Sequence, residues 1–151
     1  MKLSLGSLFF LFVSLAPAQA VGDWRGGVVT PPLPKPRFVL TDTSGAAFDF
    51  RQRTDGYVTL LFFGYTNCPD QCPMHMSNLG AALKKLPAGT ADRVRLVFVT
   101  TDPARDSPAA VRRWLDLFGR RFIGLTGTER SIEAVERAAR SSGHKNGTSQ
   151  R

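Results

Sequence analysis

The sequence predicts an α/β domain, and three observations carry that assignment. Two runs, Tyr57-Val58-Thr59-Leu60-Leu61-Phe62-Phe63 and Val94-Arg95-Leu96-Val97-Phe98-Val99, have the length and composition of core strands. Between them Met76, Leu79, Leu83 and Leu86 recur at helical spacing, so one face of the connecting segment is expected to be buried. Beyond the second run, Ser107-Pro108 opens a helix through Val111, Trp114, Leu115 and Phe118. Serine there supplies a cap, and proline suits a first turn whose N–H has no partner anyway. Strands joined through helices of connecting length predict a mainly parallel sheet with right-handed crossovers.

The remaining elements follow in order. Phe38-Val39-Leu40-Thr41-Asp42 and Ala47-Phe48-Asp49-Phe50 read as a hairpin around Ser44-Gly45. Asp55-Gly56 is a turn, and residues 57–63 form the first central strand. A helix is expected from Pro73 to about Leu86, ended by Pro87 and Gly89. Residues 94–99 are the second central strand. Phe122-Ile123-Gly124-Leu125 is a short strand, and Thr128 caps a last helix with Ile132, Val135 and Ala139 inward.

The two ends differ from this body. Met1-Lys2, an apolar stretch centred on Phe9-Phe10-Leu11-Phe12-Val13, and Ala18-Gln19-Ala20 match a signal peptide over residues 1–20, cleaved after Ala20. The apolar stretch is short against the roughly 20 residues a membrane span needs, so an uncleaved anchor is the weaker reading. The chain is therefore expected to be exported or periplasmic. Residues 21–36 are rich in Gly and Pro and read as a linker, residues 37–140 as the domain, and residues 141–151 as a disordered polar tail. Of 151 residues 42% are hydrophobic and 21% charged, which fits one globular domain. The formal net charge is +8, but the basic residues are scattered without interleaved aromatics. Nucleic acid is therefore not an expected partner. A basic surface with some attraction to an acidic partner or a membrane surface is.

The chemistry concentrates in Gly64-Tyr65-Thr66-Asn67-Cys68-Pro69-Asp70-Gln71-Cys72-Pro73, directly after a core strand. In α/β proteins reactive groups gather at that end of the strands. Cys68 and Cys72 are the only cysteines. Two thiols this close form either a local disulfide or a clamp for one soft metal ion, and an oxidising compartment leaves both open. The helix start near Cys72 is expected to lower the pKa of its thiol. Met74, His75 and Met76 follow at once, and all three are copper-compatible types. Met76 falls on the apolar helix face and is assigned to the core, Met74 to the surface. His75 is assigned to solvent, with a ligand role as the alternative. Asp70 either orients the loop or faces water.

The run Phe63-Gly64-Tyr65-Thr66-Asn67-Cys68-Pro69-Asp70-Gln71-Cys72-Pro73 closely resembles the cysteine motif of the SCO/SenC family. Asp102-Pro103-Ala104-Arg105-Asp106-Ser107-Pro108 resembles that family's Asp-Pro-x-Arg-Asp-Thr/Ser-Pro segment. Residues 118–127 are similar to its segment ending Arg-Phe-Ile-Gly-Leu-Thr-Gly. The resemblance implies a thioredoxin-like fold. It also implies a copper-binding metallochaperone that assists assembly of the binuclear copper site of cytochrome c oxidase, as copper donor, thiol reductant or both. Cys68 and Cys72 would be copper ligands, and the partner would be oxidase subunit II or another copper protein. The family's third ligand, a histidine in a Val-Asp-His-Ser-like segment, has no counterpart here. His144 lies in unrelated surroundings and is not assigned that role. The family's closing strands and last helix are likewise expected to be missing. An exported thiol–disulfide oxidoreductase using the same pair, or an inactive truncated family member, are the alternative readings.

Overall fold

The structure is a computed structural model in which residues 34–144 are described. The expected signal peptide, most of the linker, and residues 145–151 of the expected tail lie outside the described residues.

The hairpin is present as β1 (Val39–Asp42) and β2 (Ala47–Asp49), paired antiparallel with Leu40 opposite Phe48. Its turn is closed by Asp42, whose carboxylate accepts from the Ser44 and Ala46 N–H groups at 2.8 and 3.1 Å. Gly45, at φ +86°, occupies left-handed backbone that a side chain would strain. Phe50 leaves the strand and opens a short helix, α1 (Phe50–Arg53). The Asp49 carboxylate caps it by accepting from the Gln52 N–H at 2.9 Å. Then follow β3 (Val58–Gly64), α2 (Gln71–Lys85), a single turn α3 (Ala88–Ala91) and β4 (Val94–Thr100). The chain continues through α4 (Pro108–Asp116), β5 (Ile123–Thr126) and α5 (Glu129–His144). The expected caps of the last two helices are in place. Ser107 Oγ accepts from Ala110 N–H at 3.3 Å, and Thr128 Oγ1 from Ser131 N–H at 3.2 Å.

The sheet order is β2-β1-β5-β4-β3. Strands β3, β4 and β5 are parallel, whereas β1 runs antiparallel to both β2 and β5. The sheet is thus mixed rather than mainly parallel. The expected first central strand also needs correction. Among the described residues β3 is an edge, paired only to β4, and Leu60, Leu61, Phe62 and Phe63 are half-buried. Strand β4 is interior, between β5 and β3, and is buried from Leu96 to Thr100.

Alternation along β4 divides the core in two. Val97 and Val99 face one side, with Leu40, Phe48, Phe50 and Leu125, under Ile132 and Val135 of α5. Leu96 and Phe98 face the other, under Met76 of α2 and Val111 and Leu115 of α4. Each of these side chains contributes roughly 1.5–3 kcal/mol by leaving water. Helix α4 lies so close to β5 that a Cβ on Gly124 would sit 2.5 Å from Val111 Cγ1. On α2 the expected face holds at Met76 and, half-buried, at Leu79 and Leu83, but Leu86 is exposed past the helix end. Helix α5 runs to His144, so the expected change at residue 141 falls inside a helix. The last residues of the expected linker are anchored. Lys35 Nζ donates to the Thr54 and Tyr57 carbonyls at 2.5 and 2.9 Å and to Thr59 Oγ1 at 3.1 Å.

Candidate metal centre

The cysteine loop connects the C-terminal end of β3 to α2. The helix begins at Gln71, two residues before the expected start, so Cys72 lies within its first turn. Burial follows from that placement. Cys72 is 7% exposed, whereas Cys68, out in the loop, is half-buried; both are free thiols. Gly64 makes room for the inner thiol, since a Cβ there would stand 3.0 Å from Cys72 Sγ and 2.9 Å from the Phe62 ring.

The two sulfurs are neighbours with unequal roles. Cys72 N–H donates to Cys68 Sγ at 3.4 Å. The Cys72 thiol, the Cys72 N–H and the Asp70 N–H, in that order, hold the Cys68 thiol below its usual range; the Tyr65 side chain adds to this, against some desolvation. Burial pushes the Cys72 thiol up, and its hydrogen bond to Cys68 adds to that. This reverses the expectation of a lowered Cys72. The amides of the helix start point at the sulfur outside the helix, not at the one within it. The negative charge of Cys68 raises the Tyr65 phenol.

Asp106 fixes the loop from below. It is 1% exposed, and its carboxylate accepts from Thr66 N–H at 2.9 Å, Thr66 Oγ1 at 2.5 Å and Thr100 Oγ1 at 2.6 Å. Its carbonyl accepts from Thr126 Oγ1 at 3.4 Å, which adds the end of β5. Thr101 N–H closes onto the Gly64 carbonyl at 2.7 Å. Asp106 therefore ties the ends of β4 and β5, through its carboxylate and its carbonyl respectively, to Thr66, two positions from Cys68. A buried charge is tolerated because three donors satisfy it. The sequence places Asp106, Thr66 and Tyr65 in motifs but gives none of the three a role. The available signal was an Asp-Pro-x-Arg-Asp-Ser-Pro segment directly after a strand that ends beside the cysteine loop.

The neighbouring candidates separate cleanly. Met76 is fully buried in the core and Met74 is 45% exposed. His75 is exposed, its ring tilted 53° against Phe62 with centroids 6.0 Å apart. Asp70 is exposed and accepts from Gln71 Nε2 at 2.9 Å. Among the described residues no group of three or more His, Cys, Asp or Glu side chains could hold a metal ion. The donor set brought together is two sulfurs. That set suits Cu(I), a soft ion satisfied by two thiolates. The same asymmetric pair, an outer sulfur inclined to ionise beside an inner protonated one, also suits disulfide exchange.

The SCO1/SenC family profile matches residues 30–150. The chain belongs to the SCO1/SenC family. A putative copper-binding protein of Stutzerimonas stutzeri is 36% identical over 103 residues, covering 68% of this chain and 50% of that one. Mitochondrial SCO1 of Saccharomyces cerevisiae is 38% identical over 91 residues, 60% of this chain and 30% of that one. Among solved structures, copper-bound ScoI of Bradyrhizobium japonicum superposes with a TM-score of 0.64 at 36% identity, covering 69% of this chain and 65% of that one. Copper-bound yeast Sco1 gives 0.65 at 34% identity, covering 73% and 60%. The fold is thus the α/β, thioredoxin-like one of these SCO1/SenC proteins. The chain spans about half the length, or less, of the curated relatives it matches, such as 50% and 30% for the two above. Among the described residues, no helix is long and apolar enough to cross a membrane.

Proposed function

We propose that this SCO1/SenC chain is a copper-binding metallochaperone assisting assembly of the binuclear copper site of cytochrome c oxidase, with Cys68 and Cys72 as its copper ligands. The observation that carries the reading is the loop itself. Two adjacent thiols, one already collecting N–H and thiol donors, stand at the end of a core strand on a buried polar anchor. Copper is the cargo. Both thiols lose their protons on taking it up, Cys68 readily and Cys72 only because the metal replaces the proton it holds. The copper-bound relatives support the choice of metal. Two thiolates suffice for Cu(I) but serve Cu(II) poorly, so retention of the oxidised ion is expected to be weak.

The test is Cu(I) stoichiometry by competition with a chromophoric chelator on the reduced, folded chain. One ion per chain is expected, lost when Cys68→Ser and Cys72→Ser are combined. Equal copper retention in that double variant would falsify the reading. Transfer to an isolated copper domain of oxidase subunit II, read by its absorption spectrum, tests the partner. Export through a signal peptide over residues 1–20, to the periplasm or an equivalent compartment, is part of the same proposal. N-terminal sequencing of the mature chain checks it, Val21 being the expected first residue.

The unequal thiols favour a second reading, an exported thiol–disulfide oxidoreductase in which Cys68 attacks and Cys72 resolves. Metal-free reduction of a disulfide substrate, leaving a Cys68–Cys72 disulfide that added dithiothreitol reduces again, and absent in Cys68→Ser, would support it.

A further inference from the structure

The cysteine loop leaves the formal charge of +8 without a use. Part of that charge gathers at the opposite end of the parallel strands. Tyr57 immediately precedes β3, Arg95 is the second residue of β4, and Arg121 lies two residues before β5. These three, with Arg53, Gln52 and Phe48, line a cavity of about 520 Å³. Two of its guanidiniums are held by rings. Arg53 Cζ lies 5.2 Å from the Phe48 ring centroid, and Arg95 Cζ 3.9 Å from that of Tyr57. A guanidinium stacked through its face keeps its N–H edge available as a fork for an anion.

The acidic neighbours do not neutralise the cleft. Among the described residues neither Arg53 nor Arg95 forms an ion pair. Arg121 pairs with Asp92 at 2.8 Å, but both side chains are 63% exposed, and such pairs hold weakly. Asp42 feels the charge of Arg53, yet its carboxylate is engaged by Ser44 and Ala46 in its own turn.

We propose that this cleft binds a phosphate-type oxyanion, free or as a lipid headgroup, through the guanidinium edges of Arg53 and Arg95. Arg121 is the third cation, and the Gln52 side chain supplies an amide donor at the cleft wall. Two forks converging on one oxyanion satisfy planar donors that water satisfies less well. The site lies away from the cysteine loop, which leaves the other end of β3. A headgroup bound there would turn Cys68 and Cys72 away from the membrane and toward a partner.

The test uses the full chain, reduced and metal-free. Inorganic phosphate binding is followed by the amide NMR shifts of Tyr57 and Arg95. Membrane binding is followed by co-sedimentation with phosphatidylcholine vesicles, with and without phosphatidylglycerol. The variant Arg53→Gln/Arg95→Gln is compared with Arg113→Gln/Arg130→Gln, which removes equal charge from exposed positions on α4 and α5. Saturable binding is expected, weakened about tenfold or more in the cleft variant and about twofold or less in the control. Arg53→Lys/Arg95→Lys keeps the charge without the fork and is expected between the two. It also carries the comparison if the glutamine pair fails to fold. Saturable phosphate binding identifies a free-anion site, and binding to phosphatidylglycerol vesicles alone identifies a headgroup site; either supports the cleft. Equal losses in the cleft and control variants, or no binding of either probe, overturn it.

Discussion

At the C-terminal end of β3, β4 and β5 the backbone is tied by buried hydrogen bonds converging on Asp106. At the N-terminal end half-buried Arg95 of β4 and exposed Arg53 of the neighbouring α1 rest on rings. The first arrangement is satisfied and intolerant: Asp106 and Thr100 are buried, so the Thr100 hydroxyl cannot turn to water if its partner is lost, and Thr66 is half-buried. The second tolerates substitution, because water replaces whatever a side chain gives up. A loop that must hold two sulfurs in register sits at the first end. A surface that meets ions needs only the second.

The sharpest way to break this contrast is Asp106→Ala. It strands the buried Thr100 hydroxyl and releases the half-buried Thr66 of the cysteine loop from β4. Losing these hydrogen bonds, at about 1.5–3 kcal/mol each to a charged acceptor, costs about 3–5 kcal/mol once water recovers part of it at half-buried Thr66. Urea unfolding is expected to show a loss of that order, together with weaker Cu(I) retention. A variant as stable as the parent would show that the carboxylate does not hold this end. Thr100→Val removes one donor to the same carboxylate while preserving shape. It is expected to cost about 1.5–3 kcal/mol, the range for hydrogen bonds to charged groups.

Gly64→Ala probes the same end by volume rather than polarity. The added methyl would meet Cys72 Sγ at 3.0 Å and the ring of Phe62 at 2.9 Å. Phe62 is half-buried and can yield, so a cost of about 1–3 kcal/mol is expected. Because the inner sulfur must also move, Cu(I) competition should register the substitution more strongly than a remote change of equal stability cost.

The unequal thiols give a prediction that depends on pH. The pKa of Cys68 is lowered by the thiol and N–H of Cys72, and that of Cys72 is raised by burial. Alkylation of the reduced, metal-free chain, followed site by site by mass spectrometry, should therefore reach half its maximal rate at a lower pH for Cys68. Cys72 should follow at a pH above the ordinary thiol range of about 8.5. A reversed order would mean that the helix start acts on Cys72 after all.

How much of this was legible in the sequence depends on how local each cause is. The strand β4 and the buried face at Met76 were readable because a continuous apolar run and helical spacing are properties of one segment. The cysteine pair was readable because both residues lie in one loop. The edge position of β3 was not. Val58-Thr59-Leu60-Leu61-Phe62-Phe63 carries no charge or proline to mark an edge, and pairing depends on other strands. Helix α1 is too short to show a period. Asp106 and Thr66 stand 40 residues apart, so nothing near either announces the bond between them. The pKa order failed for a related reason. The direction in which the first amides of α2 point is a property of the loop's path, not of the residue at the helix start.

The smallest expected effect lies at the other end of the strands and completes the comparison. Arg95 stacks 3.9 Å over Tyr57 without an ion pair among the described residues, so Arg95→Gln removes a stack and a charge but strands no buried group. Both partners are half-buried, and a stack that keeps contact with water contributes about 0.5–1 kcal/mol. Losing one positive charge from a surface of net charge +8 also relieves some repulsion, which opposes the loss. Urea unfolding should therefore place Arg95→Gln within about 1 kcal/mol of the parent, several-fold less than Asp106→Ala. Raising the salt concentration should shrink the Arg95 difference and leave the Asp106 difference in place, since screening reaches exposed charges and not enclosed ones. If both variants responded to salt alike, the two ends would not differ in the way their geometry implies.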